Sequence, residues 1–216
     1  MEGDLQDFLG VNITRNQDNT IMLSQSHLID QVLEDSRLTD INVSAKEVPA
    51  PSSKLVSRHT DFNYRSVIGK CNYLEKESRS DIAYITHQCA RFMADPKKEH
   101  GEVLKWLGRY LKRTRGKGTI LGPSANRNLE VYVDADFSSN WDPKETHDRD
   151  TARSRHGYYI MYAGCPIMWK SQLQHKIALS SPESEYTSLS YALRDKIPIF
   201  ELLKEVKEFG FDGVWI

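Results

Sequence analysis

LEVYVDAD, residues 129–136, alternates along its length: Val131 and Val133 are apolar, and Tyr132 and Asp134 between them are not. A period of two is the mark of a strand with one buried face. Upstream of Pro123 the apolar period is helical instead. The chain therefore changes architecture near Pro123, and the class is α+β. Downstream, the polar stretch SSNWDPKETHDRDTARSRH (138–156) is expected to be a long loop. Two more strands follow, GYYIMYA (157–163) and PIMWKSQ (166–172), joined tightly through Gly164 and Cys165. Ser181 as N-cap and Pro182 at the first helical position then open a long helix. It carries Leu189, Leu193 and Ile197, meets Pro198, and resumes through Leu202, Leu203 and Val206. The closing GFDGVWI has the look of another strand beginning.

Upstream, DFLGVNIT (7–14) and IMLS (21–24) flank a polar turn and predict a β-hairpin. Ser24 or Ser26 is placed to cap a helix bearing Leu28, Ile29, Val32 and Leu33. Residues 44–61 lose periodicity and gain prolines, as a linker does. Three one-sided helices follow. Their stripes are Tyr64, Val67, Ile68, Cys71 and Leu74; then Ile82, Ile85, Cys89 and Phe92, with Ser80 as N-cap; then Val103, Leu104, Leu107 and Leu111. One-sided helices bury their stripes against each other as a bundle. Gly116 and Gly118 end the third.

At 216 residues, 39% hydrophobic and 27% charged, the chain has a globular composition. No apolar run is long enough to span a membrane, and the acidic opening MEGDLQDFLG is no signal peptide, so an intracellular protein, cytoplasmic or nuclear, is expected. Cys71, Cys89 and Cys165 are odd in number and widely spaced, which excludes a disulfide framework and a zinc-type pairing. The overall charge of −1 hides a partition: residues 1–62 carry −5, residues 63–117 carry +7, and residues 118–216 carry −3. A basic middle between acidic flanks signals a polyanionic partner.

The densest part of that middle is Arg109, Lys112, Arg113, Arg115 and Lys117, close behind Trp106 and Tyr110. Cations interleaved with aromatics suit a phosphate backbone, and they equally suit a solvated helix end whose last-turn cations complement the dipole. Arg149, Arg153 and Arg155 sit among Asp148 and Asp150 and are expected to pair locally. The histidines show no metal spacing, and Met168 and Trp169 read as core.

Eight strings, in order and spanning nearly the whole chain, resemble the C-terminal part of a copia-type LTR retrotransposon Pol polyprotein. They are DFLGVNITR, LSQSHLIDQVL, YRSVIGKCNYL, SDIAYITHQCARF, HGEVLKWLGRYLKRT, VYVDADFS, GYYIMYAGCPIMWKSQLQ and IALSSPESEY. The resemblance implies that residues 1–23 are the last palm hairpin of a reverse transcriptase, with FLG in the place of the primer grip. It implies that 24–120 are a helical thumb and connection. It also implies that 126–216 are an RNase H-like domain, here a partial three-stranded antiparallel sheet with a long helix. In that family the partner is an RNA–DNA hybrid, and two Mg²⁺ ions about 4 Å apart drive phosphodiester hydrolysis. Asp134 matches the first catalytic and metal-binding Asp and Glu185 the catalytic Glu. Each has a plainer explanation, as a strand-end carboxylate and a first-turn acid. Asp136 lies on the Asp134 face with a weaker claim, and Glu183 is explained by the helix dipole.

The family's third metal-ligand Asp, in an Asp-Asn dipeptide on a later strand, has no counterpart, and Asp212 is a poor substitute. The polymerase Asp pair is also absent. Two carboxylates hold two divalent ions poorly. The expectation is thus a truncated Pol fragment that binds nucleic acid without catalysis, with a working Mg²⁺-dependent RNase H as the alternative. The strand carrying Asp134 would lack a neighbour on one side, an edge open to association.

Overall fold

The computed structural model describes residues 6–38, 46, 61–125, 128–138, 141, 143 and 149–208. The chain divides into two compact units, Met1–Leu121 and Gly122–Ile216. The expected terminal strand GFDGVWI, Asp212 and nearly all of the 44–61 linker lie outside the described residues.

The first unit opens with β1 (Asp7–Phe8), β2 (Val11–Arg15) and β3 (Ile21–Ser24), all antiparallel. The hairpin is as expected, with β1 as an addition. Leu9 and Gly10, both at positive φ, make the β1–β2 turn, and the Tyr73 hydroxyl donates to the Leu9 carbonyl at 2.6 Å. Helix α1 (Ser26–Asp35) follows, then α2 (Tyr64–Glu77), α3 (Ala83–Ala90) and α4 (Lys98–Arg113). Strand β4 (Thr119–Leu121) then pairs with β3, so the sheet has four strands in the order β1-β2-β3-β4. Three residues are too few to show a period, which is why the sequence did not announce β4.

The three helical stripes close on one core with α1. Ile29, Val32 and Leu33 meet Tyr64, Val67, Ile68, Cys71 and Leu74, and Ile82, Ile85, Cys89, Leu104, Leu107 and Leu111 complete it. Burial pushes the Cys89 thiol up to about 12, so it packs as an apolar filler. Phe92 departs from its expected stripe and stacks on His100 at 3.8 Å between ring centres. Neither serine caps α1: Gln25 holds that position, and its buried side chain accepts from the Ser78 hydroxyl at 2.8 Å. Ser80 opens a 3-10 turn, Ser80–Ile82, ahead of α3.

In the second unit β5 (Leu129–Asp136), β6 (Arg155–Tyr162) and β7 (Cys165–Leu173) form an antiparallel sheet in chain order. Arg155 and His156, expected in the loop, begin β6, because their register with Asp136 and Ala135 extends the ladder. The β6–β7 turn is Ala163–Gly164, both at positive φ, and Cys165 is already strand. Helix α5 (Ser181–Glu208) runs through Pro198 without a break. Its cap lies one residue earlier than expected. The Ser180 hydroxyl accepts from the Glu183 N–H at 3.3 Å, and the Glu183 carboxylate accepts from the Leu179 N–H at 2.7 Å.

The buried line of α5 is Ser184, Ser188 and Ala192, not Leu189. Buried Gln174 donates from Nε2 to the Ser184 carbonyl at 2.9 Å and to the Ser188 hydroxyl at 3.2 Å, latching the helix to the end of β7. Ala192 packs with Tyr158 and Ile160, with Val131, Val133 and Ile199 against them. Met168 is exposed and Trp169 half-buried against Tyr159, so the core expected of them is not formed. The α+β class stands, with two small antiparallel sheets.

Candidate functional site

Helix α4 is strongly two-sided. Gly101, Leu104, Leu107, Gly108 and Leu111 are buried, and the other side carries the basic residues. Arg109 and Lys112 are half-buried, while Arg113, Arg115 and Lys117 are exposed. They are not equivalent. The Arg115 guanidinium makes a two-pronged ion pair with Asp30 of α1, both contacts at 2.6 Å. Its hydrogen bonds hold the Asp30 carboxyl below the ordinary aspartate value. Arg115 is therefore already partly neutralised within the unit.

The C-terminal end of α4 is fixed by a group that sequence reading missed. Arg79, only 2% exposed, grips Asp81 through Nε and Nη2 at 2.9 and 2.8 Å. Its Nη1 donates to the Thr114 carbonyl at 3.1 Å and its Nη2 to the Thr114 hydroxyl at 2.7 Å. The Tyr110 hydroxyl donates to Asp81 at 2.6 Å. Burial opposes ionisation of Asp81, but the bonds from Arg79 and Tyr110 outweigh it and hold the carboxyl low. Arg79 thus satisfies a carbonyl at a helix end, where none has an intrahelical partner. The only sequence signal was an Arg and an Asp two residues apart, which ordinarily marks a surface pair.

In the second unit Asp134 lies opposite Gly157, with Asp136 opposite Arg155. Strand alternation puts Asp134 on the other face from Val133, and Val133 packs toward Ala192. Asp134 therefore projects from the face that α5 does not cover, and it is exposed. Glu185 is also exposed, at the start of the second turn of α5 beside the buried Ser184, so it is not the first-turn acid expected; Glu183 is. Glu185 lies off the buried line of the helix, which runs through Ser184 and Ser188, where its match to a catalytic Glu leads one to expect it facing the sheet. Among the described residues no three or more His, Cys, Asp or Glu side chains come together to hold a metal ion. The donor set they offer does not fit a two-Mg²⁺ centre. Arg153 pairs with Asp150 at 2.9 Å, the local pairing expected of that loop. Among the described residues no helix is long and apolar enough to cross a membrane.

The alternating β5 strand and the amphipathic α4 belong to a sequence with curated relatives. The chain is 31% identical, over 94% of its length, to a retrovirus-related Pol polyprotein from transposon TNT 1-94 of Nicotiana tabacum. It is 30% identical over the same share to one from transposon RE1 of Arabidopsis thaliana. The chain belongs to the copia-type retrotransposon Pol family. This copia-type chain spans only 16% and 13% of those two relatives' own lengths. It is also 32% identical, over 62% of its length, to secreted RxLR effector protein 161 of Plasmopara viticola, of which it covers 89%. No protein-family model matches the copia-type chain, and no solved structure matches it.

Proposed function

We propose that this part of a copia-type Pol protein grips an RNA–DNA hybrid through a thumb-like helical region and carries an RNase H-like domain behind it. The observation that carries the reading is the two-sidedness of α4. Its leucines are buried, and Arg109, Lys112 and Arg113 occupy the opposite side within a segment of net charge +7. Closely spaced cations on a rigid helix neutralise successive phosphates and release counterions, which favours duplex without base preference. Arg79 acts as a positioning residue by fixing the helix end from which Arg113 and Lys117 extend. The RNase H-like part is supported by the order strand, strand, strand, helix, with Asp134 on the first strand and Glu185 near the start of the helix.

This chain by itself does not cut the hybrid. Asp134 and Glu185 project from a sheet face and a helix turn, and among the described residues neither belongs to a group of three or more His, Cys, Asp or Glu side chains that could hold a metal ion. In the family Mg²⁺ supplies the charge neutralisation and water activation that such a reaction needs. A labelled RNA–DNA hybrid titrated with the chain tests both halves. The expected result is salt-sensitive binding that Arg109→Glu, Lys112→Glu, Arg113→Glu together remove, with no RNA cleavage in Mg²⁺. Unchanged binding by the triple variant would reduce the basic side to a solvated face. Mg²⁺-dependent cleavage that disappears in Asp134→Asn, Glu185→Gln would establish a working ribonuclease.

A further inference from the structure

Helix α4 does not begin as helices ordinarily do. Its N-cap is Lys97, in extended backbone, where Ser, Thr, Asp or Asn is the usual residue. A lysine side chain is a donor only, so it offers nothing to the orphan N–H groups of a first turn. The start is held from inside the helix instead. His100, the third helical residue, reaches back, and its Nδ1 accepts from the Lys97 N–H at 3.0 Å. In a capping box this bond is ordinarily made by Glu or Gln. A histidine makes it only while uncharged. The neutral ring has one nitrogen lone pair, here on Nδ1, and the imidazolium has none.

The same ring also meets the connection from α3. Phe92 stacks on it, 3.8 Å between centres and 12° between planes. Phe92 is itself tied to the end of α3, its N–H donating to the Cys89 carbonyl at 3.1 Å. Half-buried His100 therefore joins two elements, through its face to the connection and through its edge to the start of α4. Partial burial lowers its pKa below the ordinary histidine value of 6.5, and Lys97 adds to this against the pull of Glu99 and Asp95. Arg91 of the connection lies over the Phe92 ring at 5.4 Å. A charge on His100 would also sit at the positive end of the helix dipole.

We propose that His100 is an acid-sensitive clasp on the start of α4. Neutral, it satisfies the Lys97 N–H and keeps the first turn wound. Protonated, it presents an N–H to an N–H, and the turn that carries exposed Lys98 opens. The opened turn takes up the proton near 6.5 and the wound turn only at lower pH, so the clasp is complete above 6.5 and is lost as pH falls below it. Leu104, Leu107 and Leu111 stay in the core, which confines the opening to the first turn. The clasp lies at the other end of α4 from Arg109, Lys112 and Arg113 and does not depend on what that end binds.

The test is NMR of the whole 216-residue chain without nucleic acid, titrated from about pH 8 to about pH 5. The His100 ring is expected to titrate below 6.5, and the Lys97 amide proton to move upfield with the same midpoint. The protection factor of the Gly101 amide, which donates to the Lys97 carbonyl at 3.2 Å, is expected to fall about fivefold while that of Leu107 holds. His100→Gln keeps an uncharged acceptor at the same position and should abolish the response of the Lys97 amide. His100→Ala should show the acid position of that amide throughout the titration. A Lys97 amide that does not follow the ring, or the same response in His100→Gln, would overturn the proposal. So would a ring midpoint at or above 6.5, because the bond would then not favour the neutral form.

Discussion

Arg79 is the residue on which the first unit depends most. Replacing it by Ala removes both prongs from Asp81 and both bonds to Thr114, leaving the Thr114 carbonyl without this donor and the Asp81 carboxylate without its counter-charge. The expected loss is about 3 kcal/mol, read as a lower urea midpoint at unchanged slope. Tyr110→Phe removes one bond to Asp81 and costs about 1 kcal/mol. His156 makes a different prediction. Its ring is 1% exposed, stacked on Tyr191, and neither nitrogen has a hydrogen-bond partner. Burial, with the nearby positive charges of Lys170, Arg155 and His175, lowers its pKa from 6.5 to about 4, against the opposing pull of Asp195. The unfolded chain takes up this proton near pH 6.5 and the native one only near 4. This contribution is therefore complete above 6.5 and is lost as pH falls through that window, by up to about 1.4 kcal/mol per pH unit. His156→Phe keeps the ring stack and should flatten that part of the stability–pH curve. An unchanged curve would assign the acid sensitivity to other groups.

At the scale of elements, two glycines show how context sets a substitution's cost. A Cβ on Gly118 would lie 2.1 Å from the Leu23 carbonyl oxygen, which is backbone of the paired strand β3. On Gly108 it would lie 2.5 Å from Cδ1 of Leu38, the end of a side chain that can turn aside. Gly118→Ala should cost about 3 kcal/mol and Gly108→Ala about 1 kcal/mol or less, compared by thermal melts of the two variants. The helical stripes were legible because each is long enough to repeat its period several times, and all of Tyr64, Val67, Ile68, Cys71 and Leu74 are buried. The alternation of Val131 and Val133 was legible for the same reason. The stripe of α5 misled because its visible apolar residues, Leu189, Leu193 and Ile197, are the exposed ones. Its buried line of Ser184 and Ser188 is polar and satisfied by Gln174, a partner ten and fourteen residues away. A hydropathy pattern cannot register a serine buried by a hydrogen bond.

For the molecule as a whole, the near-zero net charge conceals the feature that governs its chemistry, the +7 segment between acidic flanks. One phosphate contact from each of Arg109, Lys112 and Arg113 makes about three contacts. The logarithm of hybrid affinity should then fall against that of salt with a slope of about −3. A slope near zero would remove the electrostatic basis of the reading. The basic run was legible because like charges crowded a short stretch. The Arg115–Asp30 pair was not, since its members are 85 positions apart. The same distance in sequence governs how the first unit comes into being. β4 closes on β3 only after four helices have been made between them. During synthesis β3 waits beside an empty place until Leu121 has left the ribosomal tunnel, and closing so long a loop slows the final step. Chains released a few residues short of Thr119 should be helical yet show faster amide exchange along Ile21–Ser24 than the complete chain.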